Sequence, residues 1–247
     1  MHDASTALAR RLADDWRAGR VACVTWLNHH SALTLAETRM GTIADIDYVG
    51  IDGLFLHGLL GHRGDGRTSA DLVIPRVLPL LPGARIALVG TDRPSLDRAE
   101  QVIVEDLIGD TGSVIVDTRD GYDELPRREE VAGWLESCRP DVVIVGLGAV
   151  LQERWAMEVQ ARLTGGLVIT CGGFLDQVHQ PRYYPAWAYP LRLNWAVRVA
   201  REPRRLWRRY SLEGVEAFRR RHDLRSQIDG LPGFRAYRAA IADGVRS

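Results

Sequence analysis

Short apolar runs alternate regularly along this chain with longer segments of helical spacing, and few folds accommodate such an alternation. The runs are rich in β-branched residues and bounded by turn residues, which is typical of buried strands. They lie at 21–27, 85–89, 113–116, 141–145 and 167–170. Helical spacing predicts helices at 31–40, 71–81, 94–108, 127–138 and 152–163. The alternation predicts an α/β fold, with a Rossmann-like, mainly parallel sheet and helices on both faces.

This architecture also predicts where a ligand binds. In open parallel sheets, ligands occupy the crevice beyond the carboxyl ends of the strands. The residues that directly follow the apolar runs are therefore the first candidates for a functional site. They are 25–28, Gly90, 146–152 and 172–176.

Two glycine turns follow predicted strands, Gly146-Leu-Gly148 and Gly172-Gly173. Glycine lets the backbone approach a ligand closely, and the N-terminus of a following helix offers unpaired amides to a phosphate. The dinucleotide pattern requires a third small residue where this chain has Leu151. The turns therefore favour a nucleotide diphosphate over NAD, and a tight turn without a ligand is the simpler alternative.

A carboxylate and an arginine follow the apolar run at 47–51. Asp52 stands at the end of that run, before Gly53, where it can reach into a cleft as a general base. A turn or a helix cap is the more common role for such an Asp-Gly step. Arg67 and Asp71 follow in Arg67-Thr-Ser-Ala-Asp71, where the arginine could hold an anionic group and Ser69 or Asp71 could cap the next helix.

The composition is that of an ordinary globular protein, with 46% hydrophobic and 26% charged residues in 247. No apolar stretch approaches the roughly 20 residues of a membrane-spanning helix, and the first residues contain no apolar signal core. The separated cysteines Cys23, Cys138 and Cys171 are predicted to be reduced core residues, and their spacing gives no metal site. Together these features predict a cytoplasmic protein.

The net charge of zero hides a strong asymmetry. Residues 182–247 contain 15 arginines and 6 acidic residues, whereas residues 1–181 contain 17 and 26. From residue 192 the arginines are interleaved with aromatic and apolar residues, and Pro203 is expected to kink or restart this helix. We therefore divide the chain into an α/β catalytic domain at 1–191, a basic amphipathic appendage at 192–225 and a loosely held tail at 226–247.

The basic appendage allows three interpretations: a solvated helix face, a nucleic-acid-binding helix, or a helix that attaches to an anionic membrane surface. The arginines exceed what solubility needs, and the apolar and aromatic spacing favours the membrane. The acidic balance of residues 1–181 argues against a nucleic-acid duplex as partner. A non-enzymatic nucleic-acid-binding α/β protein is the alternative to an enzyme.

An ordered set of short motifs across residues 20–212 resembles the WecG/TagA/CpsF glycosyltransferase family. The motifs include Asp52-Gly53, Arg67-Thr-Ser-Ala-Asp71, Val145-Gly-Leu-Gly-Ala149 with Gln152-Glu153, and Glu202-Pro203-Arg-Arg205. The resemblance implies a metal-independent, inverting transfer of a sugar from a UDP-sugar to a polyprenyl-diphosphate-linked glycan. It further implies a peripheral location on the inner face of the plasma membrane and no cofactor, and it leaves homo-oligomerisation open.

The resemblance also implies roles for individual residues. Asp52 matches the proposed general base, and Thr25 lies near the position of its hydroxyl partner. The donor and substrate site is expected at Asn28, Arg67, Asp71, Gly90, Gly146, Gly148, Gln152, Gly172 and Gly173. The acceptor diphosphate is expected at Arg198, Arg205 and Arg208. Departures from the family pattern, such as Val150-Leu151 before Gln152, indicate a divergent branch of the exopolysaccharide type.

Overall fold

The computed structural model describes residues 3–62, 68–180 and 203–246, and its centre is one parallel sheet. The six strands are β1 (Val21–Leu27), β2 (Tyr48–Ile51), β3 (Arg85–Gly90), β4 (Val114–Arg119), β5 (Val142–Gly146) and β6 (Gly166–Thr170). Their order in the sheet is β2-β1-β6-β5-β3-β4, and every neighbouring pair is parallel. The predicted α/β class with a parallel sheet is confirmed.

The helices surround this sheet, and each of the five predicted helical segments overlaps one of them. They are α1 (Ala4–Arg17), α2 (His29–Ala36), α3 (Leu54–Leu60), α4 (Ala70–Val77), α5 (Arg93–Val102), α6 (Val131–Cys138), α7 (Leu151–Gln160), α8 (Phe174–Gln177), α9 (Pro203–Arg219), α10 (Arg221–Gly230) and α11 (Pro232–Arg246). The helix predicted at 94–108 is α5 followed by a π-helical segment, Ile103–Ile108. None of the helices in the described residues is long and apolar enough to cross a membrane.

The inner strands consist mainly of apolar residues that are fully buried. Val143, Ile144 and Val168 are inaccessible to solvent, and they belong to the central strands β5 and β6. Their branched side chains suit the pleated surface and are buried on both faces of the sheet. The edge strand β4 is partly exposed along its length, so burial decreases towards that edge.

Two helix caps fix the connections that leave β1 and β3. The Asn28 side chain accepts hydrogen bonds from the backbone amides of His30 and Ser31 and so begins α2 directly after β1. The Asp92 side chain accepts from the Ser95 amide at 2.8 Å and begins α5 just beyond β3. Both caps place polar side chains at the carboxyl end of the sheet.

The expectation of a loosely held tail is wrong for its described part. Helix α11 packs on α1 and β2, and Phe234 and Tyr237 are each only 1% exposed. Gly230, Pro232 and Gly233 suggested a loose segment, yet Pro232 stands in the first turn of α11, where its missing N–H is tolerated. Gly233 packs so closely that an added Cβ would lie 2.2 Å from the carbonyl oxygen of Ile46. The division into domains stays a prediction.

Candidate active site

A cleft of about 900 Å³ opens at the carboxyl ends of the strands, where the sequence predicts a site. Four of the predicted polar residues line it: Asn28, Asp52, Asp71 and Gln152. Four predicted glycines also line it, and they are Gly146, Gly148, Gly172 and Gly173. The fold therefore brings together residues from four separate connections that are far apart in sequence.

Asp52 reaches the cleft because β2 ends one residue earlier, beside the end of β1. The Asp52 amide donates to the carbonyl oxygen of Leu27 at 2.7 Å and extends the pairing of the two strands by one bond. Gly53 then turns the chain with a φ of 89° into α3. Asp52 is half-buried and lies in the same cleft lining as Asn28. This placement suits a carboxylate that takes a proton from a bound hydroxyl.

Gly90 is not among the described residues that line the cleft. A glycine stands there because the neighbouring backbone is packed too closely for a side chain. A Cβ on Gly90 would lie 2.2 Å from the carbonyl oxygen of Gly146. A Cβ on Gly146 would in turn lie 2.9 Å from the carbonyl oxygen of Gly172. The ends of β3, β5 and β6 therefore meet backbone to backbone at these glycines.

Thr25 lies behind the cleft and is fully buried. Its hydroxyl donates to Glu153 Oε1 at 3.2 Å and accepts from the Thr170 hydroxyl at 2.8 Å. The Gln152 amide nitrogen also donates to Glu153 Oε1, at 2.9 Å, and the backbone amide of Gly172 donates to Gln152 Oε1 at 3.1 Å. In this geometry Thr25 contacts the cleft through other residues and not directly.

Glu153 is a buried carboxyl group whose importance sequence reasoning missed. It is inaccessible to solvent, and no described residue pairs with its Oε2. Burial raises the pKa of Glu153 and outweighs the hydrogen bonds from Gln152 and Thr25, which lower it. The available signal was its place beside Gln152 in the first turn of α7, where an acidic residue usually faces solvent.

Four aspartates contribute to the lining: Asp52, Asp71, Asp92 and Asp176. No arginine is among the described lining residues, and within the described ranges no group of acidic, histidine and cysteine residues could hold a metal ion. Arg67 and Arg198 lie outside the described residues. Arg205 and Arg208 belong to α9, in the turns for which only the backbone is described.

Helix α9 passes beside the cleft. His30, which lines the cleft, lies with its Nδ1 2.8 Å from Glu213 Oε2 of α9. Phe55 of α3 lies against Gly214, because a Cβ there would be 3.9 Å from the Phe55 ring. The basic helix predicted from sequence therefore approaches the site.

Helix α11 is connected to the wall of the cleft by hydrogen bonds. The Trp26 indole, which lines the cleft, donates to Thr68 Oγ1 at 2.9 Å. The Tyr237 hydroxyl is 2.8 Å from the same Thr68 oxygen. The C-terminal helices therefore contact the site on two sides, at α2 and behind Trp26.

The three cysteines are buried and unpaired, as the sequence predicts. Burial raises the pKa of Cys171 to about 12 and that of Cys138 to about 11. At neutral pH these thiols are protonated and therefore poor nucleophiles. Although Cys171 lines the cleft, it is a poor candidate for the reactive group.

A parallel sheet with a polar cleft at the carboxyl ends of its strands defines an α/β protein with the usual ligand site of that class. The chain matches the model of the glycosyl transferase WecG/TagA/CpsF family over residues 1–227, and it belongs to that family. The protein is a glycosyltransferase.

A curated relative is similar to most of this chain. It is the UDP-Gal:alpha-D-GlcNAc-diphosphoundecaprenol beta-1,4-galactosyltransferase of Shigella boydii. The two are 27% identical over an alignment of 189 positions, and the match covers 71% of this chain and 76% of the relative.

Proposed function

We propose that this protein transfers a sugar from a UDP-sugar to a polyprenyl-diphosphate-linked glycan, with inversion and at the inner face of the plasma membrane. The observation that carries the proposal is the position of Asp52 in a cleft at the carboxyl ends of the strands, in a chain that belongs to a glycosyltransferase family. The relative's donor and its GlcNAc-diphosphoundecaprenol acceptor support these substrate classes. UDP-galactose is the first donor to test.

In the proposed reaction Asp52 acts as general base. Its carboxylate takes the proton of an acceptor hydroxyl, whose oxygen forms a bond to the anomeric carbon of the donor sugar. The bond from that carbon to the diphosphate oxygen breaks on the opposite face, and UDP leaves with the electron pair. General base catalysis of this kind contributes about 10²–10⁴-fold to the rate.

The diphosphates require positive charge that the described lining does not supply. Four aspartates line the cleft, so the field there opposes a bound anion unless arginines compensate it. We assign this role to Arg67 for the donor, and to Arg198, Arg205 and Arg208 for the acceptor. The approach of α9 to His30 is consistent with acceptor arginines near the cleft.

Asp52→Asn tests the role of the base. The variant keeps the shape of the side chain but cannot accept the proton, so kcat is expected to fall about 100-fold or more, while the Kd for UDP stays within about threefold. Transfer is measured with UDP-hexoses and a GlcNAc-diphosphate-polyprenyl acceptor, and UDP binding by calorimetry. Asp45→Asn, at an exposed position outside the cleft lining, is the matched control.

The two outcomes that contradict the proposal are distinct. Normal transfer by Asp52→Asn would show that Asp52 is not the base, without contradicting the proposed reaction. Failure of the wild-type protein to transfer from any UDP-hexose, together with no stabilisation by UDP, would contradict the substrate class. A short DNA duplex in the same binding assay tests the nucleic-acid alternative.

A further inference from the structure

We propose that Glu153 is a positioning residue, which fixes the Gln152 amide and, through it, the backbone amide of Gly172 in the floor of the cleft. The proposal rests on the proposed function, because the floor it organises is where the substrates would bind. Gln152 and Gly172 line the cleft, whereas Glu153 does not. Glu153 therefore acts on the cleft through its neighbours.

The orientation of Gln152 depends on Glu153. A carboxamide can rotate by half a turn at little cost unless both of its ends are bonded. Here Gln152 Nε2 donates to Glu153 Oε1 at 2.9 Å, and Gln152 Oε1 accepts from the Gly172 amide at 3.1 Å. Glu153 Oε1 accepts from both the Thr25 hydroxyl and Gln152 Nε2, so it favours the rotamer that presents the Gln152 oxygen to Gly172.

Hydrogen bonds from residues of β1 and β6 hold Glu153 in place in turn. The Thr170 hydroxyl donates to Thr25, and the Thr25 hydroxyl donates to Glu153 Oε1. This chain of bonds joins the end of β6 to β1 and α7, and all of its side chains are buried. It explains why Thr25 is a threonine at a position that does not line the cleft.

The Glu153 carboxyl does not need a charge to act as this acceptor, and burial, which raises its pKa, disfavours the ionised form. An ionised carboxylate in this place would carry a charge on Oε2, which has no hydrogen-bond partner among the described residues. A glutamine at position 153 presents the same carbonyl acceptor without a charge. A methionine has a similar volume but no acceptor, so the two variants separate the hydrogen bond from the packing.

The test compares Glu153→Gln and Glu153→Met in the full-length protein. We expect Glu153→Gln to stay within about threefold of the wild-type kcat/KM, and Glu153→Met to lose about tenfold or more, since a small displacement of a bound group costs this much. Unfolding in urea should show Glu153→Met folded and cooperative. Glu158→Met is the matched control on α7, because the described ion pairs of Glu158 are to the surface arginines Arg128 and Arg162.

A double variant shows whether Glu153 acts through Gln152. If it does, Gln152→Ala with Glu153→Met is no slower than Gln152→Ala alone within about twofold. Multiplicative losses would overturn the proposal. Equal losses in Glu153→Gln and Glu153→Met would also overturn it, because they would show that the carbonyl acceptor is not what matters.

A readout that does not depend on activity separates this proposal from the proposed function. Hydrogen exchange of the Gly172 amide should be about tenfold faster in Glu153→Met than in the wild type, and unchanged in Glu158→Met. Unchanged exchange in Glu153→Met would overturn the positioning role even if sugar transfer is confirmed. Faster exchange in Glu153→Met, together with a wild-type protein that transfers no sugar, would leave the positioning role standing and the proposed function wrong.

Discussion

Three strand ends meet closely at Gly90, Gly146 and Gly172. A single added carbon at such a contact would overlap the neighbouring backbone. Gly90 has a φ of 135°, and a Cβ there would overlap the Gly146 carbonyl oxygen. Sequence reasoning placed all three in a ligand site, because glycine after a strand is also what a phosphate-binding turn needs. The structure gives Gly90 a packing role and leaves Gly146 and Gly172 in the cleft lining.

Gly90→Ala is expected to destabilise the protein by about 2–4 kcal/mol, since it combines a strained φ with a steric overlap. Gly112→Ala is the control, because Gly112 has a φ of 74° but open space around a Cβ. That substitution should cost only about 1–2 kcal/mol. Urea unfolding measures both. Equal costs for the two variants would show that the contact at Gly146 relaxes freely.

The elements that the sequence predicts well are those with a strong local pattern. β1, β3, β5 and β6 are recovered within a residue or two, because their branched apolar runs are stable only in a buried sheet. β2 was not predicted as a strand, since it has only four residues and includes Gly50. The direction of Thr25 could not be predicted either, because β1 is buried on both faces and its sequence shows no alternation.

Helix α11 was misjudged because its stability comes from tertiary contacts. The turn residues at its start suggest a loose segment, whereas its apolar residues bury against α1 and β2. Phe234→Ala is therefore expected to cost about 3–5 kcal/mol of unfolding free energy. Phe218→Ala, at a residue of α9 that is 56% exposed, should cost no more than about 1 kcal/mol, since it loses mainly the contact with the Arg221 guanidinium. Similar small values for both would mean that the last helix is loosely held after all.

At the scale of the whole molecule, the charge is distributed unevenly. The cleft is acidic, whereas a second surface is basic and partly apolar. Leu212, Val215 and Phe218 recur every three residues on α9 and are 57%, 52% and 56% exposed. The Arg221 guanidinium lies 4.5 Å from the centre of the Phe218 ring. Apolar side chains beside arginines are typical of a helix that lies in a membrane interface. We propose that this stripe meets the lipid of the acceptor.

Replacing Leu212, Val215 and Phe218 together by serine is expected to reduce binding to anionic vesicles by about tenfold or more, because each residue loses apolar area that the interface would cover. Val104→Ser with Val114→Ser is the control, since both valines are exposed on other elements. Vesicle sedimentation measures binding, and transfer to a short-chain acceptor in detergent-free solution should be unchanged in the triple variant.

Binding that falls with salt in all variants but does not depend on the stripe would assign membrane attachment to the arginines alone. Loss of transfer to the short-chain acceptor would instead place the stripe in the acceptor site, because that acceptor needs no membrane to reach the cleft.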